Sequence, residues 1–300
     1  MKKHYSILLA FMVAFSSFFV SCNENGGSDS TICKITVVSD GDGAVSITNY
    51  IGTSVNVLIG NNVEVVATPG SGSKFIGWYI SNSNEPVSLN EKFIFIASEN
   101  ITLVAKFEKN EAIDLGLPSG TKWANMNVGA SAPEEYGGYY AWGETEEKSN
   151  YDWSTYKWCN GSYDTQTKYC TSSSYGTVDN KTVLDPEDDV AHVKWGGSWR
   201  MPTLDEQKEL LNNCTWKWTT RNGVNGYTVT GPNGNSIFLP AAGCRYGTEV
   251  SNRGSYGYYW SSSLHSYNSS FAYRLYFDGG GHDWGSGSRC SGRSVRPVSK

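Results

Sequence analysis

Gly197-Ser-Trp-Arg-Met-Pro-Thr203 runs directly into Leu204-Asp-Glu-Gln-Lys-Glu-Leu-Leu-Asn212, and that junction decides the character of the larger half of the chain. Thr203 is a good N-cap, and Glu206 occupies the third helical position, where a capping box requires an acidic residue. Leu204, Lys208 and Leu211, together with Leu210, make an amphipathic stripe, so a short helix is expected here. A second short helix is expected to start near Asp188 or Asp189 and to end before Gly196. The surrounding sequence reads as strands. Tyr227-Thr-Val-Thr, a Gly-Pro-Asn-Gly turn and Ser236-Ile-Phe-Leu predict a hairpin. Tyr258-Tyr-Trp-Ser and Ala272-Tyr-Arg-Leu-Tyr-Phe predict paired strands nearer the C-terminus.

Ten of the eleven tryptophans lie beyond residue 110. They sit within a series of motifs: Ile113-Asp-Leu-Gly-Leu-Pro-Ser-Gly-Thr-Lys-Trp123, Gly137-Gly-Tyr-Tyr-Ala-Trp-Gly-Glu144, Leu184-Asp-Pro-Glu-Asp-Asp-Val-Ala-His192, the Gly197–Thr203 segment, Asn233-Gly-Asn-Ser-Ile-Phe-Leu-Pro-Ala-Ala-Gly243, Gly257-Tyr-Tyr-Trp-Ser-Ser-Ser263 and Ser294-Val-Arg-Pro-Val298. Together these resemble the Fibrobacter succinogenes major paralogous domain, a bacterial extracellular module, over residues 110–300. The resemblance implies an α+β, C-type-lectin-like fold of small sheets, short helices and long ordered loops. Trp123, Trp142, Trp195, Trp199, Trp216 and Trp218 are expected to be core anchors. Arg200 and Arg296 are expected to tie loops to strands.

Residues 32–109 have a different texture. Ile35-Thr-Val-Val, Val45-Ser-Ile, Val55-Asn-Val-Leu-Ile, Val63-Glu-Val-Val-Ala and Phe93-Ile-Phe-Ile are short β-rich runs. Asp40-Gly-Asp-Gly, Gly60-Asn-Asn and Pro69-Gly-Ser-Gly separate them as turns. With the Ala67-Thr-Pro turn, the Gly77-Trp78 pair and the closing Ala105-Lys-Phe107, the segment resembles the divergent internalin-type B-repeat. That implies an all-β spacer or adhesion module with Trp78 in its core.

Lys2 and Lys3 precede an uncharged apolar stretch from Tyr5 to Val20, which reads as a secretory signal peptide over residues 1–21. Phe19-Val20-Ser21-Cys22 resembles the bacterial lipobox, which implies diacylation of Cys22. Residues 22–31 would then form a polar tether to the outer membrane of the cell surface. The membrane is expected as a partner through this lipid alone. Export permits disulfides. Cys33, Cys159, Cys170, Cys214, Cys244 and Cys290 remain, and Cys159–Cys170, the most local pair, is the expected bridge.

A net charge of −5 with no long basic block argues against nucleic acid. Asp185, Glu187, Asp188 and Asp189 form the densest acidic cluster, without EF-hand spacing. Ahead of a short helix they read more simply as caps and dipole partners than as a calcium site. No His-x-x-x-His or Cys-x-x-Cys pair suggests zinc, and no nucleophile elbow or phosphate loop is present. No cofactor and no catalytic residue is expected. Formylglycine-generating oxidases share the broad fold, but only Cys244 and Cys290 could stand for their reactive cysteines. Self-assembly as a surface or matrix component is the rival role.

A ligand-contacting surface is expected between Ser262 and Arg293, for an extracellular protein or glycan. Relatives implied by the resemblance carry many Asn residues here. This chain instead has His265, Ser266, Tyr267, Gly281, His282, Asp283, Gly285, Ser286, Gly287, Ser288, Cys290, Ser291 and Arg293. Each is reachable from an Asn codon by changing adenines only, as diversity-generating retroelements do in lectin-fold binding loops. Lys, Glu, Gln and Met do not occur between Trp260 and Arg296. Tyr and His offer rigid amphipathic contact, and Ser and Gly adaptable hydrogen bonding.

Overall fold

Strand follows strand from Ile32 to Lys109 in the computed structural model, which describes residues 31–70 and 72–300. The strands are β1 (Ile32–Asp40), β2 (Gly43–Ile47), β3 (Ser54–Leu58), β4 (Asn62–Pro69), β5 (Ser73–Ile80), β6 (Pro86–Ser88), β7 (Lys92–Ile96) and β8 (Ile101–Lys109). They form a five-stranded sheet, β3-β1-β8-β5-β6, and a three-stranded sheet, β2-β4-β7. β1 and β8 run parallel, with Ile35 opposite Ile101. Alternation decides which side chains point inward: Cys33, Ile35 and Val37 from β1, Val63, Val65 and Ala67 from β4, and Leu103, Ala105 and Phe107 from β8. Trp78 is fully buried among them, and its indole N–H donates to the Glu91 carbonyl at 3.2 Å. The Gly-rich turn between β1 and β2 passes the chain from one sheet to the other rather than closing a hairpin, and its glycine at position 43 has a steric cause. A Cβ on Gly43 would come within 2.5 Å of the Phe107 ring.

In the remaining chain strands outnumber helices, with long loops between them. It comprises β9 (Ala112–Ile113), β10 (Lys122–Ala124), α1 (Val190–Trp195), α2 (Leu204–Asn213), β11 (Thr215–Arg221), β12 (Val224–Thr230), β13 (Ser236–Pro240), β14 (Cys244–Tyr246), β15 (Glu249–Ser251), β16 (Tyr256–Leu264), β17 (Phe271–Asp278), β18 (Gly281–Ser288) and β19 (Val298–Ser299). Two single-turn 3₁₀ helices lie at Trp153–Thr155 and Pro186–Asp188. β19 pairs with β10, which brings the end of the chain back beside Trp123. β11-β12-β13 and β16-β17-β18 are antiparallel meanders. The structure is β-rich with few helices.

Both predicted helices form with the predicted caps. Thr203 Oγ1 accepts from the Glu206 N–H, and the Glu206 carboxylate accepts from the Thr203 N–H at 2.8 Å, completing the capping box. Asp189 caps α1 by accepting from Ala191 and His192. Arg200 grips Glu206 through both Nη atoms at 2.7 and 2.6 Å. Arg296, fully buried, donates to Asn127, the Ala124 carbonyl and the Phe238 carbonyl. Trp123, Trp142, Trp195 and Trp199 are buried as expected, whereas Trp216 and Trp218 are only half-buried. Arg289 was not foreseen as a tie. It is fully buried and donates to Tyr156 Oη and to the carbonyls of Tyr169, Ser269 and Lys168.

The Cys159–Cys170 bridge is not formed. Cys159 Sγ faces the Trp153 carbonyl at 3.1 Å, and Cys170 Sγ faces the Ser172 carbonyl at 3.1 Å. The two thiols thus turn toward different loops, and all six cysteines of the described residues are free.

Candidate functional site

The β17–β18 hairpin is closed by a glycine turn in which Asp278 Oδ1 accepts from the N–H groups of Gly280 and Gly281, at 2.7 and 3.1 Å. This fixes the register of β18, with Phe277 opposite His282, Leu275 opposite Trp284 and Tyr273 opposite Ser286. Because side chains alternate across a sheet, the expected contact residues divide between two faces. His282, Ser286 and Ser288 share one face with Trp284. Gly281, Asp283 and Gly285 lie on the other.

The His282 face looks toward α2. His282 stacks on Trp216, with ring centroids 4.5 Å apart and planes 12° from parallel. Lys208 Nζ lies 4.5 Å from the centre of the Trp284 ring. Trp284 meets Tyr273 edge-on at 5.8 Å, and Tyr273 lies 5.0 Å from His265. Between helix and strand is a cleft of about 240 Å³ lined by Lys208, Leu211, Asn212, His282, Asp283 and Trp284. Trp284 is 42 % exposed, so a large aromatic surface is presented to solvent here.

The β16–β17 loop extends this strip. His265 Nδ1 accepts from the N–H groups of Tyr267 and Asn268 at 3.3 and 3.2 Å, and Ser266 Oγ bonds the Tyr273 hydroxyl at 2.9 Å. Asn268 Oδ1 in turn accepts from Ser270. The loop is therefore ordered by its own polar side chains while Tyr267, 88 % exposed, stands free at its tip. Burial pushes the His265 imidazole below its ordinary range. The same cause lowers His282, opposed by the neighbouring Asp283 carboxylate.

Two expected contact residues are corrected. Ser291 is buried, because the chain turns inward at Arg289 and Ser291 N–H bonds back to the Ser288 carbonyl. Arg293 is also buried: its backbone pairs with Tyr140, and its guanidinium packs on Tyr258 and Trp260. Neither is part of the solvent-facing loop, and Cys290 and Gly287 are interior too. Conversely, Trp284, Tyr273 and Lys208 belong to the site although sequence reasoning did not select them. A lysine inside an otherwise apolar helical stripe was the available signal for Lys208.

The acidic cluster is occupied by lysines and by one helix. Lys168 Nζ lies 2.6 Å from both Asp185 and Asp188, with Lys157 on Asp188 and Lys181 on Asp185. Tyr169 donates to Asp188 at 2.7 Å. Only Asp189 acts as the predicted helix cap.

Residues 33–111 match the model of the divergent InlB B-repeat domain. Residues 215–298, which include the β18 hairpin, match the model of a domain of unknown function (DUF8237). No curated protein and no solved structure gave a significant match to the chain.

Proposed function

We propose that the chain is a surface-exposed bacterial lipoprotein whose B-repeat module carries a recognition head for an extracellular protein or glycan. In this reading the head is a C-type-lectin-like module of the Fibrobacter major paralogous type. Cys22, which lies outside the described residues, carries the lipid that holds it to the outer membrane. The protein binds rather than catalyses. The observation that carries the proposal is the strip formed by Tyr267, His265, Tyr273, Trp284 and His282, continuous with the α2–β18 cleft. Exposed aromatic rings on a rigid hairpin give large contact area at little conformational cost. The test is a glycan and protein array probed with the full chain and with the Trp284→Ala and Tyr267→Ala variants. A ligand retained by wild type and lost by both variants supports the reading.

A second reading is self-assembly. β18 is an edge strand of its sheet, and an unpaired edge is a template for a further strand. Concentration-dependent polymers in size-exclusion chromatography, abolished by a proline at Gly285, would favour assembly over recognition.

A further inference from the structure

The face of the β16–β17–β18 sheet away from α2 holds two arginines whose surroundings differ from those of every other buried guanidinium described above. Arg289 and Arg296 spend their N–H groups on carbonyl, hydroxyl and amide oxygens. Arg293, 7 % exposed, has no hydrogen-bond partner on Nε. Arg274 gives Nε to the Ser286 carbonyl at 3.0 Å, and its Nη1 has no partner. Among the described residues neither forms an ion pair.

The two cations are neighbours. A Cβ on Gly287 would lie 2.3 Å from Arg293 Nη2 and 3.2 Å from Arg274 Nε, so the glycine leaves room for both. Arg274 stacks on Tyr258 and Tyr276 at 4.7 and 4.9 Å, and Arg293 on Tyr258 and Trp260 at 5.1 and 4.7 Å. Stacking engages the planar faces of a guanidinium and leaves its N–H edge unused. Burial, and for Arg293 also the charge of Arg274, lowers the affinity of both for their protons. The other ionisable groups facing them are the phenols of Tyr258 and Tyr276 and the thiols of Cys244 and Cys290, and the carboxylate that β18 places on this face, Asp283, stands opposite Tyr276. A buried and a half-buried cation side by side with no ion pair are costly, and a forked N–H edge fits a planar carboxylate. Beside them Tyr256 and Tyr258 stack 5.9 Å apart with planes 5° from parallel, and both are partly exposed. β18 contributes Gly281, Gly285 and Gly287 to this face, with Asp283 between the first two opposite Tyr276, so Arg274, opposite Gly285, is not roofed by a β18 side chain. A flat aromatic shelf next to a paired cation suits a sugar ring bearing an acid, whereas an added peptide strand would seek the β18 edge.

We infer that Arg274, backed by the buried charge of Arg293, forms a subsite for the carboxylate of a uronic acid in an extracellular glycan, with Tyr256 and Tyr258 as the shelf for its ring. The inference rests on the recognition reading above and names the ligand chemistry for a second face of the same hairpin. Calorimetric titration of the full chain with an oligoglucuronate, the matching neutral oligoglucoside and polyglutamate tests it. The oligoglucuronate should bind, the neutral oligomer about tenfold or more weaker, and Arg274→Gln should weaken the first by about tenfold without changing the circular dichroism. Should Arg293→Gln fail to fold, Arg274→Gln and Tyr256→Ala still carry the test. Absence of binding, equal binding by Arg274→Gln, or preference for polyglutamate overturns it. Array binding that depends on Trp284 but not on Arg274 removes the subsite and leaves the recognition reading. Arg274-dependent glucuronate binding beside an array with no Trp284-dependent ligand supports the subsite and removes the strip beside α2 as the contact surface.

Discussion

The His282 imidazole lies flat on the Trp216 indole, centroids 4.5 Å apart, and so joins the edge strand β18 to the β11–β12 hairpin. Trp216 also meets Tyr227 edge-on at 5.5 Å and packs near Phe277. One ring of the stack is therefore half in the core and the other faces solvent.

Their substitutions should separate on that basis. Trp216→Ala removes ring contacts on the core side and should cost about 2–3 kcal/mol of unfolding free energy in urea. His282→Ala should cost about 1 kcal/mol or less, because the imidazole is exposed and mainly shields the indole. Equal losses would mean that the stack, not the core, holds this end of the sheet.

Glu206 links acid sensitivity to the helix that lines the cleft. Burial acts to raise its carboxyl, but the Arg200 fork and the Thr203 N–H outweigh it and hold the group at about 2, against 4.5 when free. A depressed carboxyl stabilises the fold fully above the free value, and that stabilisation is lost as pH falls through the folded value. Allowing for solvent screening, about 2 kcal/mol should disappear between roughly pH 4.5 and 2. Melting curves across that range should show the loss in wild type and a flatter profile in Glu206→Gln.

His265 should make the contact loop pH-sensitive. Its Nδ1 accepts two backbone N–H groups, which a protonated Nδ1 cannot do. With the folded value held below the ordinary 6.5 by burial, loop order is complete above 6.5 and declines as pH falls through the folded value. The protection factors of the Tyr267 and Asn268 amides, exchange rates corrected for their intrinsic pH dependence, should fall on acidification, and His265→Asn should abolish that fall.

Cys22 should decide where the protein resides. Detergent phase separation of wild type should place it with the detergent, and Cys22→Ser should move it to the aqueous phase or leave it unprocessed. Wild type in the aqueous phase with an unmodified N-terminus contradicts the anchor.

The B-repeat strands were legible because β-branched residues are concentrated there and turn-formers punctuate them, while the inward placement of Ile35, Val63 and Leu103 comes from the structure. The helix α2 was legible from Thr203 and Glu206. The long loops between Asn125 and Asp189 were not. Their order comes from residues far apart in the chain, as when Arg289 reaches Tyr156, Tyr169 and Ser269, and no local period encodes that. The site was legible as a region but not as a geometry. Glycines at 281, 285 and 287 hide the alternation of β18, so its two faces could not be separated by reading. Ser291 and Arg293 were placed outside for the same reason, since nothing local announces the inward turn at Arg289.

The central claim is that the aromatic strip beside α2 is where this protein meets its ligand. The most direct measurement is binding of the first array-identified ligand to wild type and to Trp284→Ala, with folding checked by circular dichroism. The account predicts a loss of about tenfold or more in affinity, the truncation cost of a central aromatic contact, with an unchanged fold. Unchanged affinity in a folded Trp284→Ala protein that also lacks the Tyr267 ring would contradict it.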